Sequence, residues 1–199
     1  MLLIAAVLGA GLLAGWVRGG RLRRLADTRI RYWPTIPLAL ALQVAPIPEI
    51  GTARPELVPV AVLLFSYVVL IAVAIANWRL RWFPLILAGL LLNFLAIGVN
   101  EGMPVSRDAI ERAGIAETIP DLEEDGKHHL QDRFDVLVPI TDVIPIPGPF
   151  ATVVSIGDVV MYAGAGLFLA SSMTRKRHGR HEHRIEIDVP AGRGRSRGR

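Results

Sequence analysis

Residues 57–76 read LVPVAVLLFSYVVLIAVAIA, and this apolar stretch decides the fold class of the chain. It carries no charge over a length that makes about 30 Å of helix, which is the thickness of a bilayer core. Two further stretches, residues 1–17 and 83–100, also carry no charge. The sequence therefore predicts an all-α, polytopic membrane helix bundle.

The overall composition agrees with this fold class. Hydrophobic residues make up 52% of the 199 residues and charged residues 20%, and the mean hydropathy is +0.42. A soluble protein would spread such charges along amphipathic elements, whereas here they lie between the apolar stretches. The chain contains no cysteine, which excludes disulfides, thiolate metal sites and cysteine nucleophiles.

About five transmembrane helices are predicted. The second is the least secure on hydropathy, because it is short and contains Pro37, Gln43 and Pro46. The apolar residues 136–150 contain four prolines and are predicted to lie on the outer interface, since unpaired backbone cannot face lipid. The predicted spans are residues 2–17, 33–48, 57–76, 83–100 and 151–172.

Charge predicts the orientation. Residues 18–31, 77–82 and 175–199 are basic, whereas residues 101–150 hold eleven acidic residues against four Lys or Arg. Basic segments remain in the cytoplasm. Five spans with the N-terminus outside put the three basic segments in the cytoplasm and residues 101–150 outside. If the second span is removed or a sixth is added, a basic segment falls on the outer side. The predicted transmembrane domain is 1–172, with extracytoplasmic loop 101–150 and a basic, disordered cytoplasmic tail at 173–199.

The first apolar stretch raises two questions. Its length suits a cleaved secretory signal, but its arginines follow the stretch instead of preceding it, so an uncleaved helix is favoured. Gly11 and Gly15 have the spacing that lets helices approach closely in lipid. A general richness in glycine and alanine is the alternative explanation.

Asp158 is the first candidate for function, because an ionisable group within a span is a functional hypothesis by default. It is predicted to lie about 10 Å inside the last span, at the depth of Asn93 in the fourth. Asn100 falls on the same predicted helix face as Asn93, along a stripe with Gly89 and Ala96 that should face the bundle. The sequence thus predicts an Asp158–Asn93 contact, with Asn100 as a third candidate.

A structural role for Asp158 is the competing explanation. Ser155-Ile-Gly-Asp158 has the spacing of a capping box, in which the acid only completes the first turn of the helix. Both explanations stay open at this point.

The acidic loop contains one helix with clear ends and one weak metal candidate. Ser106 is a predicted N-cap and Gly114 a predicted stop. A second short helix is predicted from about His128 to Leu137, which would put His128, Asp132 and Asp135 on one face where they could hold a divalent metal. An exposed acidic face is the commoner outcome of such a pattern.

The basic tail points to lipid. Arg175, Lys176 and Arg177 are predicted to contact anionic lipids of the inner leaflet, at about 1 kcal/mol per residue. Nucleic acid is a weaker expectation, because the tail has no aromatic residues for base stacking. No phosphate-binding loop, HExxH or GxSxG motif occurs, so the sequence favours no enzyme and calls for no cofactor.

Two motifs suggest a family. Asn100-Glu-Gly-Met-Pro-Val105 resembles an Asn-x-Gly-x-Met-Pro-like pattern, and Asp142-Val-Ile-Pro-Ile-Pro147 with Ser155-Ile-Gly-Asp158 resembles a second pattern. Together they resemble a family of small bacterial, often actinobacterial, multi-pass membrane proteins catalogued as a domain of unknown function. The resemblance covers roughly residues 1–172. It implies location in the cell inner (plasma) membrane and no particular activity.

Two functions are therefore considered. The first is a non-catalytic scaffold or accessory protein that acts through a membrane-protein partner or as a homo-oligomer. The alternative is a small transporter or an ion- or proton-binding protein centred on Asp158, Asn93 and Asn100.

The predicted orientation can be tested by cysteine labelling, because the native chain has no cysteine. A cysteine at Glu123 should react with an impermeant thiol reagent added from outside the cell. Labelling only from the cytoplasmic side would overturn the orientation.

Overall fold

The computed structural model describes residues 2–45, 54, 57–119 and 125–174, and this part of the chain is mostly helical. Five of its helices are apolar and two are short. The helices are α1 (Leu2–Val17), α2 (Leu22–Ala26), α3 (Thr35–Val44), α4 (Val58–Ala76), α5 (Phe83–Val99), α6 (Arg107–Ala113) and α7 (Ile156–Thr174).

Two helices, α4 and α7, are long and apolar enough to cross a membrane. The other three apolar helices, α1, α3 and α5, are shorter, at 10 to 17 residues. Length and composition therefore support membrane association for two of the five predicted spans.

The last helix lies between two others at very short distances. A Cβ on Gly11 of α1 would lie 2.6 Å from the carbonyl oxygen of Gly166, and one on Gly15 would lie 3.2 Å from the Cα of Ala170. On the other side of α7, a Cβ on Gly89 of α5 would collide with the Gly157 carbonyl oxygen. The predicted close packing of Gly11 and Gly15 is confirmed, and its partner is α7.

The loop between α5 and α7 forms two small sheets. Strand β1 (Met103–Val105) pairs in parallel with β2 (His128–Leu130), and β3 (Ile144–Ile146) pairs antiparallel with β4 (Thr152–Val154). The prediction of a helix from about His128 to Leu137 is wrong, because the backbone of His128–Leu130 forms a strand that hydrogen-bonds to β1. An all-α description is correspondingly incomplete for this loop.

The predicted ends of the short helix in this loop agree with the structure. The Ser106 side chain accepts a hydrogen bond from the Ala109 amide at 3.4 Å, and Gly114 ends α6 with φ of 78°. These predicted ends of α6 are confirmed. Within residues 136–150 the structure has a short 3₁₀ turn, Val138–Ile140, and strand β3. As the prolines predict, no α-helix forms there.

The predicted limits of two spans need correction. The last span is predicted at 151–172, but its helix runs over Ile156–Thr174, since residues 152–154 form β4. The helix of the second predicted span, α3, ends at Val44, and residues 46–48 of that span lie outside the described residues. The tail from residue 175 onward, including Arg175, Lys176 and Arg177, lies outside them as well.

Two of the basic segments, residues 18–31 and 77–82, meet at one end of the bundle, which is called here the basic end. The Asn77 side chain donates to the Arg31 carbonyl at 2.9 Å and accepts from the Arg31 amide at 2.8 Å. The Arg21 amide and the Arg24 guanidinium both donate to the Met173 carbonyl, at 3.0 and 3.4 Å. Residues 18–31 therefore lie against both the 77–82 turn and the end of α7.

The glycine contacts of α1 lead to a matched pair of substitutions. Gly11→Ala should destabilise the protein by about 1–3 kcal/mol, because the added methyl group overlaps the α7 backbone. Gly9→Ala, with nothing within 4 Å of its added methyl group, should be neutral or raise stability by up to about 1 kcal/mol through helix propensity. Thermal unfolding in detergent measures both. Equal melting temperatures for Gly11→Ala and Gly9→Ala would contradict the packing of α1 against α7.

Candidate functional site

Asn93 and Asp158 are in contact, as predicted. The Asn93 amide nitrogen donates to the Asp158 carboxylate at 2.7 Å, and its amide oxygen accepts from the Ser155 hydroxyl at 2.8 Å. Asn93 and Ser155 are fully buried. A longer contact of 3.4 Å joins Asn93 to the Tyr67 hydroxyl on α4. One amide side chain thus connects α4, α5 and the start of α7.

The capping box predicted at Ser155 also forms. The Asp158 amide donates to the Ser155 hydroxyl at 2.9 Å, and the Ser155 amide donates to the Asp158 carboxylate at 3.2 Å. The two explanations for Asp158 are therefore compatible, since the carboxylate caps α7 with one oxygen and bonds Asn93 with the other. Because α7 starts at Ile156, Asp158 lies in its first turn and not 10 Å inside a span.

Asn100 does not join these residues. Its side chain donates to the carbonyls of Ala96 and Val136, at 2.9 and 3.0 Å, and accepts from the Val136 amide at 2.8 Å. Gly89, Asn93 and Ala96 are buried as the stripe predicts, but Asn100 is at the end of α5 and holds the loop. Its role is to tie residue 136 to the bundle.

The predicted metal face does not form, because it required a helix that is absent. His128 contacts Asp125 at 2.6 Å, whereas His129 contacts Asp135 at 3.0 Å. Asp132 accepts from the Phe134 amide. In the part of the chain that the structure describes, no three His, Asp or Glu side chains converge as a metal site would require.

Asp142 is the residue that the sequence did not single out as a site. Its backbone is fixed, since its amide donates to the Pro104 carbonyl at 3.1 Å and its carbonyl accepts from the Ser106 amide at 2.9 Å. Its side chain is only 9% exposed, and the oxygen Oδ1 has no hydrogen-bond partner among the described residues. The one sequence signal was its place at the start of a family-like motif.

Asp142, Asp158 and His128 form a shared wall between two cavities, which together are called the acidic chamber. The larger cavity is about 300 Å³ and lies beside the start of α1, β4 and Tyr162. The smaller is about 200 Å³ and lies beside Gln43, Tyr67 and Asn93. The chamber thus brings together residues from α1, from the central helices α3, α4 and α5, from α7 and from the loop between α5 and α7.

Two neighbours shape the wall of the chamber. Asp125 accepts hydrogen bonds from the backbone amides of Lys127 and His128, at 2.6 and 2.9 Å. It also contacts the His128 ring, which fixes the position of that ring. The Lys127 ammonium donates to the carbonyls of Gln43 and Ala45, both at 2.9 Å, and so caps the end of α3.

The electrostatics of the loop residues follow from burial and charge. Burial, reinforced by the negative charge of Asp158, raises the pKa of Asp142 to about 7. Burial lowers the pKa of His128, but the hydrogen bond and charge of Asp125 outweigh it and raise that pKa above its usual value. The same contact outweighs burial at Asp125 and lowers the pKa of its carboxyl group.

Asp142 should make stability depend on pH. Between the unfolded pKa of about 4 and the folded value of about 7 the native state holds a proton that the unfolded state does not, so stability falls as pH rises through this window. Asp142→Asn removes this loss. The variant should match the native protein near pH 4 and exceed it at pH 8, with a ceiling of roughly 4 kcal/mol from about three pKa units.

Unfolding measured across this pH range tests the effect. Asp108→Asn is the control, because that exposed carboxylate lies on α6 and its side chain is 68% exposed. If the stability difference between Asp142→Asn and the native protein does not change with pH, then folding does not raise the pKa of Asp142, and this prediction is wrong.

Comparison with known proteins gives a family and no activity. A family model matches residues 27–170, which include every residue of the chamber except those at the start of α1. No curated protein and no solved structure matches this chain. The match confirms the resemblance to an uncharacterised domain that the two motifs suggested. The chain belongs to DUF5317, a family of unknown function.

Proposed function

We propose that this chain is a multi-pass membrane protein that binds a cation in the acidic chamber. The observation that carries the proposal is the buried Oδ1 of Asp142, which has no hydrogen-bond partner among the described residues and belongs to the same wall as Asp158. A buried carboxylate is costly unless it is paired, hydrogen-bonded or protonated. A bound cation would supply the partner that Asp142 lacks.

Within the described part of the chain, the charge of His128 acts on Asp142 from a distance, but no basic side chain pairs with Asp142 directly. Among the described residues no Lys, Arg or His nitrogen lies within 4 Å of a carboxylate oxygen of Asp142 or Asp158. Lys127 lines the smaller cavity, but its ammonium is bound to backbone carbonyls at the end of α3. His128 is paired with Asp125, so their charges largely compensate when the ring is protonated.

We place this chamber at the outer face of a five-span bundle with the N-terminus outside and the C-terminus in the cytoplasm. The meeting of residues 18–31 with residues 77–82 at the basic end supports this orientation, because basic segments stay in the cytoplasm. The acidic chamber and the first residues of α1 lie together at the other end. The membrane is the inner (plasma) membrane of a bacterium.

The short α3 is the second span of this proposal. Its ten residues give only about 15 Å of helix, but its flanks contact both ends of the bundle. Arg31, which precedes it, bonds Asn77 at the basic end, while Gln43 and Ala45 bond Lys127 beside the acidic chamber. These contacts support a chain that passes from one end to the other.

The scaffold or accessory role stays a prediction, as do a membrane-protein partner and a homo-oligomer. Contact of the tail with anionic lipids also remains a proposal, and its residues lie outside the described part of the chain. The acidic chamber favours ligand binding over a purely structural role, because Asp158 faces a polar cavity with Asn93 beside it.

Cation binding should stabilise the folded protein, since a ligand that binds only the native state raises its melting temperature. Purified protein in detergent at pH 8 would be titrated separately with Na⁺, Mg²⁺ and organic ammonium chlorides at fixed ionic strength. At least one cation should raise the melting temperature, and Asp142→Asn should abolish the rise. This variant is preferable to Asp158→Asn, because Asp158 also caps α7.

Asp108→Asn is the matched control, since it removes the same charge from an exposed site on α6 and should keep the response. If no cation in the panel changes the melting temperature, the proposed function is wrong.

A further inference from the structure

We infer that the cation of the acidic chamber is a small primary organic ammonium, held by Asp142 between the two cavities. This inference rests on the proposed cation binding and specifies its ligand class.

The available space exceeds what a bare inorganic ion needs. The two cavities measure about 300 and about 200 Å³, whereas a water molecule occupies about 30 Å³ of liquid. The larger cavity is at the lower limit of roughly 300 Å³ for small-molecule sites. An ammonium group at the shared wall would therefore leave room for an organic substituent in one cavity.

The remaining lining suits such a substituent. The larger cavity contains Leu3, Ile4 and Phe150, and the smaller contains Leu63, Ile97 and Met103. The exposed lining of the larger cavity is mostly polar and that of the smaller is mixed, so the smaller cavity is the better fit for an apolar substituent. Tyr162 lies beside the larger cavity and Tyr67 beside the smaller, and aromatic rings attract ammonium groups through their faces.

The ligand atoms do not suit a dehydrated metal ion. Calcium takes six to eight oxygen ligands and magnesium demands near-octahedral geometry. Among the described residues no three His, Asp or Glu side chains converge. Asp158 already accepts hydrogen bonds from Asn93 and from the Ser155 amide, which leaves Asp142 as the main acceptor for a ligand.

The Oδ1 oxygen of Asp142 requires a ligand that can donate a hydrogen bond. An ionised carboxylate only accepts hydrogen bonds, and Oδ1 has no partner among the described residues. A primary ammonium carries both a positive charge and N–H donors, and charge-assisted hydrogen bonds are roughly twice as strong as neutral ones. A quaternary ammonium carries the charge without the donors. The chamber should therefore prefer a primary over a quaternary ammonium.

Three probes separate these contributions in calorimetric titrations of the full chain in detergent at pH 8. Butylammonium has the charge and the N–H donors, tetramethylammonium has the charge alone, and 1-butanol is the neutral counterpart. Butylammonium should bind at least tenfold more tightly than tetramethylammonium, and 1-butanol should not bind measurably. Asp142→Asn should weaken butylammonium binding at least tenfold, whereas Asp108→Asn should leave it unchanged.

The other outcomes are distinguishable. Binding of Na⁺ or Mg²⁺ that depends on Asp142, without binding of butylammonium, would overturn the ligand class and leave cation binding in place. Equal affinities for butylammonium and tetramethylammonium would overturn the N–H preference. Butylammonium binding that survives Asp142→Asn would place the site elsewhere. If no cation binds, the proposed function and this inference fail together.

Discussion

The arrangement of the whole acidic end depends on the close approach of α5 and α7. Gly89 and Gly157 let the two backbones meet, and a side chain on Gly157 would occupy the position of the Asn93 amide. At that distance Asn93 reaches both Ser155 and Asp158 and completes a ring of hydrogen bonds with the capping box. This contact therefore fixes where α7 begins and where its carboxylate lies.

The loop between α5 and α7 then covers this end of the bundle. Asn100 holds Val136 against the end of α5, and the pairing of β1 with β2 brings Lys127 and His128 beside α3. A bridge between Val105 and Asp142 positions the second carboxylate. Each of these contacts joins residues distant in sequence. The loop thus builds the acidic chamber by covering a polar helix end, not by forming an independent domain.

Asp158 both caps α7 and contacts Asn93, so the structural and functional explanations of this residue hold together. Its capping bonds and its bond to Asn93 satisfy the carboxylate, so the side chain of Asp158 is held in one position in the chamber wall. Asp142 differs, because its backbone is held while its Oδ1 has no partner in the described structure. Buried polar groups are almost always hydrogen-bonded, so an exception calls for an explanation such as a ligand. Of the two carboxylates, Asp142 is therefore the one whose surroundings call for a ligand.

The sequence alone determined the features that depend on neighbouring residues. The apolar stretches became helices, Ser106 and Gly114 set the ends of α6, and the Ser155–Asp158 spacing formed its capping box. The predicted contact of Asn93 with Asp158 forms, although Asp158 lies nearer the start of its helix than the sequence predicts. Only the tertiary structure decided that His128–Leu130 is a strand, because its partner β1 lies about 25 residues earlier in the chain and backbone pairing at that separation leaves no local pattern. The same reason hid Asp142: its burial, its free oxygen and its place beside Asp158 arise from contacts that no local spacing encodes.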